Sequence, residues 1–473
     1  MSLKIYNSLT RKKEQFVPLR KGKVSIYVCG PTVYDEPHIG HARSAYVFDV
    51  IRRYLETKYK IKFVRNVTDV DDKIINKAKV EFKGEDLKAA VKKVADKYFK
   101  SYSECMNKLG IKPPSKEPKA TEYIKKMVKF IAKLIKTGIA YESGGDVYFD
   151  ITKAKQYGKL SHQSPEMMES GARVSPGENK KSPLDFALWK KAKDNEPSWP
   201  SPWGRGRPGW HIECSVMSSD ILGDKFDIHG GGIDLIFPHH ENEVAQSEGA
   251  GKDFANYWIH NGLLTINGQK MAKSLGNYIT VKEIEDRGYR FDVLKILFLQ
   301  SHYSHPVDFT WARMDEVNKA YERFYVLFHK IDREFGSRDI ARLPTGSRGN
   351  VDHFKKEFEE AMDDNFNTPM ALSVLFNIVN ECNKILEDKQ DSRRFMLQYA
   401  MSVIIELGGI LGLSFKDIKV EKSDTWVTIA IAQREQLRKE GKYAEADEIR
   451  KMLDEKGIIL EDSKDGATWR RKI

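Results

Sequence analysis

A strand–turn–helix–strand unit near the N-terminus constrains this chain more than any other feature. The run "VSIYV" (24–28) is short and largely apolar, as a buried parallel strand is. "CGPTVYDEPHIGHAR" follows it, and then Val47, Val50, Ile51, Tyr54 and Leu55 recur at helical spacing before a second strand at "IKFVRNV". A βαβ unit of this kind has a right-handed crossover and binds ligands at the carboxyl ends of its strands. Cys29 and the tetrad His38-Ile39-Gly40-His41 therefore fall on the ligand-facing edge of a parallel sheet.

The rhythm stops at Pro113 and Pro114 and resumes after residue 200, where "KFDIHGGG" reads as strand and glycine turn, "PHHENEVAQSEG" as helix and "NYWIH" as strand. The sheet is thus split by an insertion. We divide the chain into a first catalytic half (1–112), an inserted domain (113–200), a second catalytic half (201–262) and a loop region (263–315). Beyond it, amphipathic stretches such as "HFKKEFEEAMDD" and "PMALSVLFNIVNECNKILE" predict a helical bundle (316–419). The end of the chain (420–473) reads as two short helices broken at Gly441, then a hairpin through "IILED", "SKDG" and "ATWRRK". Several domains agree with the length of 473 residues.

Lys and Arg total 79 against 68 Asp and Glu, a formal charge of +11 spread along the chain. That excess favours a polyanionic partner, although a Lys-rich solvated surface produces the same balance. The four cysteines, Cys29, Cys105, Cys214 and Cys382, are too scattered for a disulfide framework, and nothing at the start has the order of a signal peptide. No apolar run is long enough for a membrane span, since "MSVIIELGGILGLSF" contains Glu406. A cytoplasmic protein is expected.

His38 and His41 at the start of a helix can donate hydrogen bonds to a phosphate, and Gly40 lets it approach the backbone. Alone, the same string serves as a capping turn. "KMAKS" (270–274), in a glycine-flanked loop after the last strand, offers Lys270 and Lys273 to a departing pyrophosphate. Alone, it reads as solvated surface. One such motif in each half of a split sheet is far more specific than either. Cys29, Cys214, His239 and Glu243 make a four-donor set suited to zinc, with His239 and Glu243 four apart on one helical face. Spacing also permits His240 with Glu243, or two buried thiols and a solvated pair with no metal.

"PHIGHAR" and "KMAKSLGN" resemble the two signatures of class I aminoacyl-tRNA synthetases. The resemblance narrows to the cysteinyl-tRNA synthetases through "YVCGPTVYD", "NVTDVDDKII", "GARV", "SPLDFALWK", "SPWGRGRPGWHIECS", "HGGGIDLIFPHHENE", "DNFNTP" and "ATWRRK", which span nearly the whole chain. It implies a Rossmann-type α/β catalytic domain split by an insertion, followed by an α-helical bundle and a small α+β module. It also implies one Zn2+ held by Cys29, Cys214, His239 and Glu243, which selects His239 over His240, and Mg2+ accompanying ATP. The implied substrates are L-cysteine, ATP and tRNA(Cys), acting on a monomer.

By the same resemblance, Pro31, Thr32, His38, Gly40, His41, Gly230, Gly231, Gly232, Asp234 and Lys273 contact ATP, while Cys29, Thr68, Trp210 and His239 face the amino acid. Thr68 and Trp210 could equally be a strand-end hydroxyl and a buried aromatic. Ala272 departs from the family, where serine is commoner. Arg438, Tyr443 and Asp447 fall where the family contacts the anticodon, with Trp469, Arg470, Arg471 and Lys472 in a basic hairpin. A small-molecule cysteine ligase shares the catalytic core but has no use for "DNFNTP" or this hairpin. A non-catalytic paralogue would have lost His38, His41 or the loop lysines.

Overall fold

The computed structural model describes the chain apart from residue 1 and residues 165–178, 273–274, 336–350, 388–392, 416–424, 464–465 and 472–473. "GARV" and Lys472 lie outside the described residues, as does Lys273. The chain forms two compact units. The first comprises 1–314 with 357–372 and 409–413, and the second comprises 315–356, 373–408 and 414–473.

The first unit is built on a four-stranded parallel sheet in the order Ala255–Asn261, Phe226–Gly232, Lys23–Val28, Lys60–Arg65. From Lys23–Val28 the chain crosses through the helix Ile39–Glu56 to one side, then returns after the insertion to pair on the other side. The order therefore reverses between Lys23–Val28 and Phe226–Gly232, the place where a ligand crevice opens in such sheets. Cys29 sits there, its N–H donating to the Gly230 carbonyl at 3.0 Å. Gly30 is required next to it, because a Cβ would lie 1.7 Å from the Asn66 carbonyl oxygen. Tyr27, Val64, Cys214, Met217, Phe226, Val244 and Trp258 fill the core behind the crevice.

The insertion carries its own antiparallel sheet of Ala140–Ser143, Asp146–Phe149, Phe186–Lys191 and Gly206–Pro208. The helix Ile124–Lys136 covers it with Ile124, Met127, Phe130, Ile131 and Leu134, a single apolar stripe. Each such side chain contributes about 1.5–3 kcal/mol on burial. The sheet runs eight residues past the sequence-derived limit at 200, to Pro208, and leads directly into the helix Trp210–Leu222. The insertion thus fixes where that helix, and Cys214 on it, begins.

A smaller three-stranded sheet joins Leu264–Ile266 to Gln269–Lys270 and Val307–Phe309. The second unit is helical and ends in the helices Thr425–Lys439 and Tyr443–Glu455 and the hairpin Ile458–Ser463 with Gly466–Arg471. Val427, Ile431, Leu453, Ile458 and Leu460 form its terminal core, and Arg434 closes it with a two-pronged ion pair to Asp462 at 2.7 and 2.9 Å. Among the described residues no helix is long and apolar enough to cross a membrane.

Candidate active site and metal centre

Cys29, Cys214, His239 and Glu243 converge at the crevice with one donor atom from each within 4.8 Å of the others. Cys29 Sγ lies 3.7 Å from Cys214 Sγ and 3.5 Å from Glu243 Oε1, and His239 Nε2 lies 3.0 Å from that same oxygen. A tetrahedral zinc with bonds of about 2.3 Å to sulfur and 2.0–2.2 Å to nitrogen or oxygen has edges of about 3.8 Å between sulfurs and 3.3 Å between nitrogen and oxygen. The four residues fit such an ion. His239 is not on the helix that carries Glu243, which begins at Glu241; it sits in the wider turn Ile236–His240 ahead of it. The turn still brings the two side chains together, so the contact arises from a turn rather than a helical face.

Burial pushes both thiols and the Glu243 carboxyl up and the His239 imidazole down, so each group resists the charge it would carry alone. A divalent cation offsets that cost for the thiolates and the carboxylate. A second set, Cys29, His229, His240 and Glu243, is equally compact. The first set is the better zinc cage because it has two thiolates and leaves an outer partner for its members. His211 Nδ1 lies 3.0 Å from His239 Nδ1, and His229 Nε2 lies 2.8 Å from Glu243 Oε2. His240 is tied to His260 at 2.8 Å and approaches Cys29 Sγ at 3.3 Å.

His38 caps the helix Ile39–Glu56. Its Nδ1 accepts from the N–H groups of Gly40 and His41 at 3.1 and 3.3 Å, and His41 Nδ1 accepts from the His38 N–H at 3.4 Å. An Nδ1 that accepts leaves the proton of a neutral ring on Nε2, so both rings present a donor. His41 is neutral at pH 7, lowered to about 4 by burial and by Lys73. The capping reading and the phosphate reading are thus compatible, since the cap sets the tautomer.

The second signature is tied to the first. Ile39 N–H donates to the Ile279 carbonyl at 3.1 Å and Val281 N–H to the Pro37 carbonyl at 3.2 Å, while the Tyr278 hydroxyl donates to the Glu36 carbonyl at 2.9 Å. Asn277 pins the loop itself, accepting from the Ala272 N–H at 2.8 Å and donating to the Lys270 carbonyl at 3.1 Å. Lys270 ends an exposed strand beside it.

Pro31 and Thr32 run alongside Thr68, whose N–H donates to the Pro31 carbonyl at 3.1 Å and whose hydroxyl donates to Glu213 Oε2 at 2.6 Å. Trp210 is 38% exposed and stacks on the His239 ring at 4.1 Å, so it walls the crevice rather than filling the core. Asp234 is exposed in the turn Ile233–Leu235, just beyond Gly230, Gly231 and Gly232. Gly230 answers to packing, since a Cβ there would meet the Phe48 ring at 2.2 Å.

Residues 15–319 match the family described as tRNA synthetases class I (C) catalytic domain, residues 357–416 the DALR domain, and residues 430–470 the cysteinyl-tRNA ligase anticodon binding domain. A cysteine–tRNA ligase of Persephonella marina is 49% identical over the whole of both chains, and one of Thermococcus gammatolerans is 46% identical over all of this chain and 99% of its own. The chain belongs to the cysteine–tRNA ligase family. The fold agrees with solved class I structures: a Mycobacterium tuberculosis methionyl-tRNA synthetase in complex with methionyl-adenylate superposes with a TM-score of 0.64 at 13% identity, covering 86% of this chain and 96% of that one.

In this ligase chain the C-terminal residues named from the sequence divide. Tyr443 is 62% exposed at the start of its helix, and Asp447 follows one turn later. Arg438 reaches Asp462 at 3.5 Å. Trp469 packs against the terminal core and approaches His329 at 6.2 Å, which gives it a structural place. Sequence reasoning missed His211, His229 and His260, which lie in apolar stretches where a histidine has no distinguishing period. It also missed Asn277 and Tyr278, which flank a recognised loop, and Arg43, which closes "HIGHAR".

Proposed function

We propose that this enzyme activates L-cysteine with ATP and transfers it to tRNA(Cys), with zinc bound by Cys29, Cys214, His239 and Glu243. The observation that carries the reading is the position of this donor set at the sheet reversal, where the loop that contributes Cys29 runs on into His38 and His41. Zinc supplies a soft site that takes a thiolate and discriminates against the hydroxyl of serine or the methyl of alanine. A site built around such a bond rejects its absence by orders of magnitude, where an apolar pocket separates near-isosteres by about 1–3 kcal/mol.

The chain's own residues position the rest. Trp210 closes the amino-acid side by stacking on His239, and Thr68, held by Glu213 of the helix that Trp210 begins, completes the pocket. The cysteine carboxylate attacks the α-phosphorus, forming a carboxyl–phosphate bond as pyrophosphate leaves. His38 and His41 donate from Nε2 to the phosphate oxygens, and Lys270 and Lys273 neutralise the departing charge. Gly231, Gly232 and Asp234 line the adenosine. A terminal ribose hydroxyl of the tRNA then attacks the carbonyl and AMP leaves. Mg2+ accompanies ATP in this reading, and the enzyme is a cytoplasmic monomer, a setting that suits four cysteines none of which forms a disulfide.

ATP–pyrophosphate exchange measured with each proteinogenic amino acid tests this. Cysteine alone should support it; equal exchange with serine would sink the assignment.

A further inference from the structure

Three of the four metal donors have a histidine behind them. His211 Nδ1 lies 3.0 Å from His239 Nδ1, His229 Nε2 lies 2.8 Å from Glu243 Oε2, and His240 Nε2 lies 3.3 Å from Cys29 Sγ. Cys214, the fourth donor, has Tyr27 in that place. Tyr27 and Cys29 are two residues apart, and the bond from the Cys29 N–H to the Gly230 carbonyl prolongs the strand Lys23–Val28 by one residue, so the pleat sends both side chains to one face. The register sets Tyr27 beside His229, their rings 5.3 Å apart, and Tyr27 shares its core with Cys214, Phe226 and Trp258.

Tyr27 is wholly buried, and its hydroxyl forms no hydrogen bond among the described residues although it faces Cys214. A buried hydroxyl left without an acceptor is costly, and a phenylalanine would fill the same core without that cost. A thiol accepts weakly, whereas a thiolate accepts strongly. The acceptor that Tyr27 lacks is therefore supplied when a bound zinc ion turns Cys214 into a thiolate. The consequence reaches the substrate. Two thiolates and a carboxylate already outweigh the charge of a divalent ion before the thiolate of cysteine arrives, and a donor on Cys214 Sγ draws charge off that sulfur, which keeps the ion receptive.

Resting on the zinc-dependent ligase reading, we propose that Tyr27 is a positioning residue of the metal centre: its hydroxyl donates to the Cys214 thiolate, completes the outer ring of partners and sets how strongly the ion takes the substrate thiolate. Tyr27→Phe in the full-length enzyme tests this, because it removes one oxygen and nothing else. With the metal stripped by a chelator, the variant should resist urea as well as the wild type or better, since the hydroxyl has no bond to lose. With zinc bound it should be less stable than the wild type, and its zinc affinity should fall about 10–100-fold, the usual effect of losing an outer partner. The dissociation constant for cysteine, measured without ATP, should rise severalfold.

Cobalt(II) in place of zinc reports on the sulfur itself. Its thiolate-to-metal charge-transfer band should move to longer wavelength in Tyr27→Phe, because a thiolate without its hydrogen bond gives up electrons more easily. Equal stability changes with and without metal, or an unmoved cobalt band, would overturn the proposal. Should Tyr27→Phe fail to fold, Tyr27→3-fluorotyrosine keeps the hydroxyl and makes it a stronger donor; the band should then move to shorter wavelength, and an unmoved band would equally overturn the proposal. Absence of cysteine-dependent pyrophosphate exchange in the wild type would instead strike the ligase reading, with the cobalt band still scoring Tyr27. A wild type that bound neither metal would overturn both.

Discussion

Arg43 donates to the Gly262 carbonyl at 2.5 Å, joining the helix that starts at His38 to the segment leading into the second signature loop. The same guanidinium reaches the carbonyls of Leu263 at 2.6 Å, Tyr303 at 3.3 Å and His305. It is 1% exposed, and although burial lowers it to about 10, it remains a cation at neutral pH. Its partners among these are main-chain oxygens rather than a carboxylate, so the charge is spent on holding loop geometry.

Replacing it should therefore affect stability and chemistry together. Arg43→Met removes a cation shared by four carbonyls, of which those of Gly262, Leu263 and Tyr303 keep another donor (Asn261 Nδ2, Val307 N–H and Gly262 N–H), and should lower unfolding free energy by about 1–3 kcal/mol in urea titration. It should also slow adenylate formation with the KM for cysteine nearly unchanged, because the signature loop loses its anchor while the zinc donors do not. Arg43→Lys should recover part of the stability. Unchanged stability would show that the four contacts are incidental.

The metal set makes a separate expectation. Cys214→Ala or His239→Ala should reduce zinc content and raise the KM for cysteine far more than that for ATP. His211→Ala removes only the partner 3.0 Å from His239 Nδ1, and should weaken zinc affinity by roughly 10–100-fold without abolishing it. Zinc titration against a chelator distinguishes the two classes. A metal-free enzyme that remains fully cysteine-specific would refute the assignment.

Much of this arrangement was legible beforehand because local chemistry dictated it. The apolar run before Cys29 and the helical spacing of Val47, Val50, Ile51, Tyr54 and Leu55 each obey one period, and each formed the element that period demands, whereas Gly230, Gly231 and Gly232, which read as a turn, instead finish the strand Phe226–Gly232 because its parallel neighbour Ala255–Asn261 continues the pairing to its end. The zinc donors were legible only as types, since their meeting depends on a parallel sheet that brings residue 29 beside residue 214. His239 shows the limit: its four-residue spacing from Glu243 matched a helix, yet a wider turn delivers the contact. Arg43 and Asn277 act through backbone groups of other segments, and no side-chain pattern encodes such partners.

The His41 ring yields a pH prediction whose sign follows from its depressed pKa. Folding favours the neutral form, so its contribution is present above the ordinary imidazole value of about 6.5 and is lost as pH falls toward 4. A shift of that size corresponds to at most about 3 kcal/mol, and the ring's partial solvent access reduces this to about 1–2 kcal/mol. Between pH 7 and 4.5 the wild type should lose that much more stability than His41→Asn, which cannot titrate. Equal losses in urea titrations at both pH values would mean that the ring is not held neutral by the fold.

Tyr443 and Trp469 lie in the same terminal module but in opposite environments, and their replacement should separate recognition from folding. Tyr443 is exposed on the first turn of Tyr443–Glu455, with Asp447 one turn further, so Tyr443→Ala removes a surface on which a base can stack. That loss should weaken tRNA binding by about 1–3 kcal/mol and leave cysteine-dependent pyrophosphate exchange and thermal stability unchanged. Trp469 instead packs against the cluster of Val427, Ile431, Leu453 and Leu460, so Trp469→Ala should first destabilise the module. Added salt should weaken tRNA binding by wild type and Tyr443→Ala in parallel, because stacking releases no counterions. If Tyr443→Ala charged tRNA with an unaltered KM while Trp469→Ala alone lost binding in a folded module, the exposed helix would not be the reading surface and the hairpin would take its place.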